Sequence, residues 1–217
     1  MNIIAFDIET IPDDVSTLSD IQRDILKTKL EKCYERDEDT PKSEVRNKFM
    51  ATNGMYGKIV CIGISELGRS GEVQNKAFCG EEDELLQNFW NALRGFRGVF
   101  VSYNGLDFDV PFILMRSIKH RIAATNTDFT NTRRFSQYPH YDVMHWAANW
   151  DRFKIVGLRA LADFMGLPSP KEGEMEASNV YQAYQDGRID EIAEYCLKDT
   201  EVTLKTFLRL KEYTSRK

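Results

Sequence analysis

The first stretch with a clear pattern is Asn2 to Ile8, a run of apolar, β-branched and aromatic residues that reads as a buried strand and ends in Asp-Ile-Glu-Thr. Residues 13–55 are polar and charged, with a helical patch over Ile21–Tyr34 in which Ile21, Ile25, Leu30 and Tyr34 are apolar. Pro41, Asn53 and Gly54 interrupt it, which predicts an insertion, not a second domain. Two strands follow, Lys58–Glu66 and Glu72–Cys79, joined by the turn residues Gly68 to Gly71. Leu85, Leu86, Phe89, Trp90 and Leu93 recur at helical period over Glu81–Arg94, with acids in the first turn. Gly98–Tyr103 is a further strand, and after Asn104-Gly105 a helix runs through Ile118. The remainder reads as helices over Tyr141–Trp150, Leu158–Met165, Ser178–Gln185 and Asp190–Leu210, with a loop over Gly166–Glu174. Early strands followed by helices predict an α/β sheet flanked by helices.

Composition narrows the class. A chain of 217 residues is expected to be one elaborated domain, and 42% hydrophobic with 29% charged residues is a globular balance. No apolar run approaches the roughly 18 residues of a membrane span. The N-terminus lacks a basic segment followed by an apolar one, so no secretory leader is expected. Cys33, Cys61, Cys79 and Cys196 are scattered without a C-x-x-C pair, which speaks against structural zinc or a disulfide framework and suits a reducing, cytoplasmic setting. The net charge of −5 argues against a long electrostatic grip on a phosphate backbone. It leaves room for an enzyme that holds a few nucleotides beside cations, because two bound Mg²⁺ would nearly neutralise it.

Three groups of residues carry candidate chemistry. Asp7 and Glu9 alternate onto one strand face, roughly 7 Å apart, with Ile4, Phe6 and Ile8 facing the other way into the core. Two carboxylates at the end of an apolar strand repel each other, and a hard divalent cation relieves that. In Asn104-Gly-Leu-Asp107-Phe108-Asp109, either aspartate can cap the following helix or sit at the carboxyl end of a strand, where α/β sheets collect ligands. In the last helix, Tyr195 and Asp199 share a face. The apolar stripe there runs through Ile189, Ile192, Cys196, Thr200, Leu204 and Phe207. Asp199 lies about 100° and Tyr195 about 140° from its centre, so neither is simply a core residue.

In this order, the three groups resemble the tyrosine-bearing (DEDDy) branch of the DEDD 3′–5′ exonucleases, and more closely the proofreading exonuclease domain of family B DNA polymerases standing alone. The matching segments are Phe6-Asp7-Ile8-Glu9-Thr10, Asn104 with Phe108-Asp109, and Tyr195 with Asp199; His-Tyr-Asp142-Val, ahead of Leu158-Arg-Ala-Leu-Ala, also resembles a polymerase-exonuclease segment. The likeness spans about residues 1–12 and 56–213, and selects Asp109 over Asp107. It implies a ribonuclease H-like fold with a mixed sheet of about five strands flanked by helices, as one domain over residues 1–217 with the insertion at about 13–55.

The resemblance further implies two divalent cations, Mg²⁺ or Mn²⁺, held by Asp7, Glu9, Asp109 and Asp199, with Tyr195 orienting the attacking water. The tyrosine branch is favoured because Glu, not His, stands at position 194. Thr10, Asn104 and Phe108 lie where the family positions the terminal nucleotide. Arg133 and Arg134 are read as solvated surface with an alternative role at phosphates. The partner is then a single-stranded 3′ end, with DNA preferred; an exoribonuclease and a catalytically weak binding module of the same fold are the alternatives. No G-x-x-x-x-G-K-[ST] loop supports a kinase or NTPase.

Overall fold

In the computed structural model, which describes residues 2–68, 70–168 and 175–214, the N-terminal apolar run forms β1 (Asn2–Pro12). β1 pairs antiparallel with β2 (Gly57–Leu67), and β2 pairs antiparallel with β3 (Val73–Cys79). On its other edge β1 pairs in parallel with β4 (Gly98–Ser102), and β4 with β5 (His140–Asp142). The sheet order is β3-β2-β1-β4-β5, so the strand that bears Asp7 and Glu9 is central. The register of β1 against β2 shifts between Glu9 and Thr10.

Two helical layers cover this sheet. Ile4, Phe6 and Ile8 enter one core layer, against α3 (Glu82–Leu93) and α4 (Asp109–Lys119). Ile3 and Ala5 enter the other, where Leu204 and Phe207 of the long α8 (Ile189–Thr214) pack beside Tyr141 and Val143. The short α5 (Val143–Ala147), α6 (Leu158–Phe164) and α7 (Val180–Gln185) lie between β5 and α8 in the chain. Phe129 fills the centre of the first layer, with its ring centroid 5.1–5.4 Å from those of Phe6, Phe89, Trp90 and Phe100.

Two expectations need correction. The helix expected over Tyr141–Trp150 is instead strand β5 followed by α5, because the buried His140 and Tyr141 extend the sheet and the Asp142 side chain caps His145 N–H. In the 13–55 segment the helix is α1 (Asp20–Arg36), but Ile21 and Ile25 are 73% and 43% exposed, while Leu26 and Leu30 are buried against Leu18, Met50 and Tyr56. A second helix, α2 (Lys42–Ala51), went unread because Pro41 looked like a breaker. It stands at the N-cap, where a missing N–H costs nothing and the next turn is free to form. The loop expected over Gly166–Glu174 falls outside the described residues from position 169 onward.

A buried ionic network fastens the insertion and α4 to the sheet. The Arg116 guanidinium, 1% exposed, donates from Nε to Glu82 Oε1 at 2.8 Å and from Nη2 to Glu82 Oε2 at 2.6 Å. Its Nη2 also reaches Asp13 at 2.9 Å, and Glu82 Oε1 accepts from Ile59 N–H at 2.7 Å. One guanidinium thus joins α4, α3, β2 and the start of the insertion. Removing it leaves the buried Glu82 with only the Ile59 N–H and His120, and Asp13 with only Lys119, so Arg116→Met is expected to cost about 3–5 kcal/mol in urea unfolding; a loss below about 1 kcal/mol would contradict this role.

Candidate active site

The site is assembled from three elements. Asp7 and Glu9 project from the α8-facing side of β1, and one ligand atom each from Asp7, Glu9 and Cys196 all lie within 4.8 Å of one another. Asp109, the first residue of α4, reaches the same strand. β4 stops pairing with β1 after the Ala5–Val101 pair, and beyond it the Ile8 N–H donates to Asp109 Oδ1 at 3.0 Å. A backbone donor that would otherwise be buried without a partner therefore fixes the third carboxylate beside the first two. Tyr195 and Asp199, one turn apart on α8, face Asp7 and Glu9 from across the cleft.

The turn that delivers Asp109 is held from below. Asp142, 3% exposed, accepts from the backbone N–H groups of Asn104 and Leu106, both at 3.1 Å, and of His145 at 3.2 Å. Asn104 takes a left-handed conformation (φ 66°), which asparagine tolerates. At Gly105 a Cβ would fall 2.4 Å from Ser102 Cβ, so this tight turn demands glycine. Asp107, the alternative aspartate, points elsewhere: it pairs with Arg134 and lies 3.0 Å from His145 Nε2.

Burial and mutual repulsion dominate the electrostatics. Burial pushes Asp7 well above the usual carboxylate range, and Asp109, Glu9 and Asp199 push it further. Glu9 is raised by burial and then by Asp199 and Asp109, and nothing around it pulls the other way. Burial raises Asp109 to about 7 and Asp199 to about 6, in each case against lowering by hydrogen bonds. The Tyr195 hydroxyl is pushed far up by burial and by the Asp199, Glu9 and Asp7 charges, so it stays a neutral phenol. Among the described residues no group donates a hydrogen bond to the Glu9 carboxylate, although only 7% of the residue is exposed. A buried carboxylate left so costs stability unless a cation or a proton joins it.

The structure thus brings together Asp7, Glu9, Asp109, Tyr195 and Asp199. The residues expected at substrate are more dispersed in their engagements. Thr10 spends its hydroxyl on the Ala51 carbonyl at 2.7 Å, clamping α2 to β1. Phe108 packs on the first core layer, its ring 5.6 Å from that of Phe112. The Asn104 backbone is tied to Asp142, and Arg133 and Arg134 are exposed. Sequence reasoning marked Asp142 only through the likeness of its segment to a polymerase-exonuclease segment and gave it no task. It also took Cys196 for a stripe residue, since sulfur facing a carboxylate leaves no trace in periodicity.

These shifts fix a pH dependence. Carboxylates raised in the folded state bind more protons there than in the unfolded chain, so the metal-free protein gains stability as pH falls through their folded values. Buried His140, lowered to about 4, opposes this only below its unfolded value near 6.5. In EDTA, Tm is therefore expected to rise as pH falls from 8 to 6.5, with Asp109 near 7 contributing within that window. With Mn²⁺ the stabilisation should be larger at pH 8 than at pH 6.5, because the ion and protons compete. A Tm in EDTA that falls over the same interval would contradict the assignment of raised carboxylates.

A family model described as a predicted 3′–5′ exonuclease related to the exonuclease domain of PolB matches residues 48–216. That span includes Asp109, Tyr195 and Asp199 and begins after Asp7 and Glu9. A search of curated proteins finds no match. Among solved structures, the family B DNA polymerase from the hyperthermophilic archaeon Pyrobaculum calidifontis is similar at 17% identity and a TM-score of 0.58, over 97% of this chain and 24% of the polymerase chain. This chain therefore spans about a quarter of the length of that polymerase. At that identity the likeness shows the fold, and the mixed five-stranded sheet between helices is the ribonuclease H-like arrangement. With most of its length matched, the chain belongs to the family of predicted 3′–5′ exonucleases related to the exonuclease domain of PolB.

Proposed function

We propose that this protein is a metal-dependent 3′–5′ exonuclease that removes nucleoside 5′-monophosphates from the 3′ end of single-stranded nucleic acid, with DNA as the preferred substrate. The observation that carries the reading is the convergence of four carboxylates from β1, α4 and α8, of which Glu9 and Asp109 are buried and Asp7 and Asp199 half-buried. We read residues 1–217 as one exonuclease domain, with 13–55 as an elaboration of it.

The donor set fits hard divalent cations. It offers carboxylate oxygens, and Glu9 is buried with no hydrogen-bond donor among the described residues. Asp7, Glu9, Asp109 and Asp199 would hold two such ions, Mg²⁺ or Mn²⁺, which supply positive charge at the scissile phosphate and lower the pKa of water. Asp7, on which the Asp109, Glu9 and Asp199 charges all act, would serve both ions. Tyr195 keeps its proton and would hold the attacking water through its hydroxyl. A bond forms between water oxygen and phosphorus, the bond to the 3′-oxygen breaks, and that oxygen ends as a hydroxyl on the shortened strand. Asp142 positions Asp109 through the turn it anchors. For the terminal nucleotide we read contacts from Asn104 and Phe108, on that turn, and from the Thr10 backbone.

Matched 5′-labelled DNA and RNA oligonucleotides, incubated with Mg²⁺, Mn²⁺ or EDTA, test this. A ladder shortening from the 3′ end, faster for DNA and abolished by EDTA, is expected. Absence of cleavage with every metal would favour a nucleic-acid-binding module of the same fold. Asp7→Ala is expected to fall to background. Tyr195→Phe should lower turnover roughly ten- to a hundredfold through misplaced water, with Mn²⁺ affinity nearly unchanged; loss of Mn²⁺ binding in Tyr195→Phe would contradict its role.

A further inference from the structure

Three of the four cysteines, far apart in sequence, meet beside the carboxylates. Cys61 and Cys79 are paired across β2 and β3 with their sulfurs 3.3 Å apart. Cys196, fully buried on α8, places its sulfur 3.9 Å from Asp7 Oδ2 and 3.5 Å from the Asp7 carbonyl oxygen. Gly63, the register partner of Asp7, makes room for it: a Cβ there would stand 2.8 Å from Cys196 Sγ. The sulfur is thus seated on the metal-facing side of β1 and directed at a carboxylate oxygen.

We propose that Cys196 joins Asp7 and Glu9 in a mixed oxygen–sulfur site for a thiophilic divalent cation of the Zn²⁺ class, which excludes Mg²⁺ or Mn²⁺ from the same carboxylates. Tetrahedral zinc with a sulfur at about 2.3 Å and an oxygen at about 2.0–2.2 Å sets those two ligands roughly 3.5 Å apart. The observed 3.9 Å needs an adjustment of only a few tenths of an ångström. Glu9, 7% exposed and without a hydrogen-bond donor among the described residues, is aimed into the same point and supplies the third ligand. The thiol proton leaves to solvent as the metal–sulfur bond forms. Thiolate favours Zn²⁺ and Cd²⁺ over the hard ions that carboxylates alone accept, so one soft atom changes which cations the site retains. Binding does not depend on the hydrolase reading; only inhibition of hydrolysis rests on it.

Cd²⁺ is the direct probe, because its bond to sulfur gives a charge-transfer absorption in the ultraviolet. In a Cys61→Ser/Cys79→Ser background, Cd²⁺ added to the metal-free protein is expected to produce that band, and Cys196→Ser to abolish it with an unchanged far-ultraviolet dichroism spectrum. Glu9→Gln, which keeps the sulfur, should weaken Cd²⁺ binding at least about tenfold; it also serves if Cys196→Ser fails to fold. Mn²⁺ binding in the same background is followed by electron paramagnetic resonance. Mn²⁺ binding without a Cd²⁺–sulfur band overturns this proposal and spares the carboxylate site, whereas loss of both overturns the two together. In the hydrolysis assay at fixed Mg²⁺, Cys196→Ser should need at least about tenfold more Zn²⁺ for half-inhibition than the unmodified protein; equal sensitivity would overturn the competition.

Discussion

Everything at this site follows from gathering four carboxylates where water is scarce. Asp7 and Glu9 sit on the central strand, and Asp109 and Asp199 are brought to them by helices on opposite faces of the sheet. Like charges so placed raise one another's proton affinity, and burial adds to it. The scaffold must hold the cluster against that repulsion, and it does so with contacts that do not neutralise it. The Ile8 N–H fixes Asp109, Asp142 anchors the turn ahead of it, and the packed stripe of α8 holds Asp199 in reach. The proposed cations would supply the charge that balances the cluster.

A second buried charge cluster shows the contrast. Around Glu82 the carboxylate has a resident cation, Arg116 at 2.6–2.8 Å, and a further partner in His120 Nε2 at 2.7 Å. That network is satisfied internally and serves to join the insertion, α3 and α4. Glu9 and Asp109 carry the same kind of charge and are as buried as Glu82, yet the groups acting on Asp7 and Glu9 are mainly other carboxylates. One cluster is closed and structural, the other open and receptive.

The elements that the sequence made legible are those with a strong, uninterrupted period. β1, β2, β4, α3, α4 and α8 were readable because an apolar run or stripe extends over most of each, and β3, largely polar and exposed, because the turn residues Gly68 to Gly71 set it off from β2. β5 was misread because three residues are too few to display a period, and α5 follows it without a break. α2 was hidden by Pro41, and the buried face of α1 was displaced because isoleucines at 21 and 25 are apolar yet turned to solvent. For the candidate site, the carboxylates stood out because charged residues interrupt an apolar strand and because Asp199, with Tyr195, lies off the apolar stripe of the last helix. What periodicity could not reveal were contacts between distant segments: Asp142 under the Asn104 turn, Thr10 on Ala51, and Cys196 against Asp7.

The central claim is that the carboxylate cluster holds protons in place of metal until a divalent cation arrives. Its most direct test is to titrate Mn²⁺ into the metal-free protein in weak buffer at pH 6.5 and measure the protons released. The raised affinities of Asp7, Glu9 and Asp109 predict release of about one proton or more per chain at saturation. Saturable Mn²⁺ binding that releases none would mean that the carboxylates are already ionised, and would contradict the account.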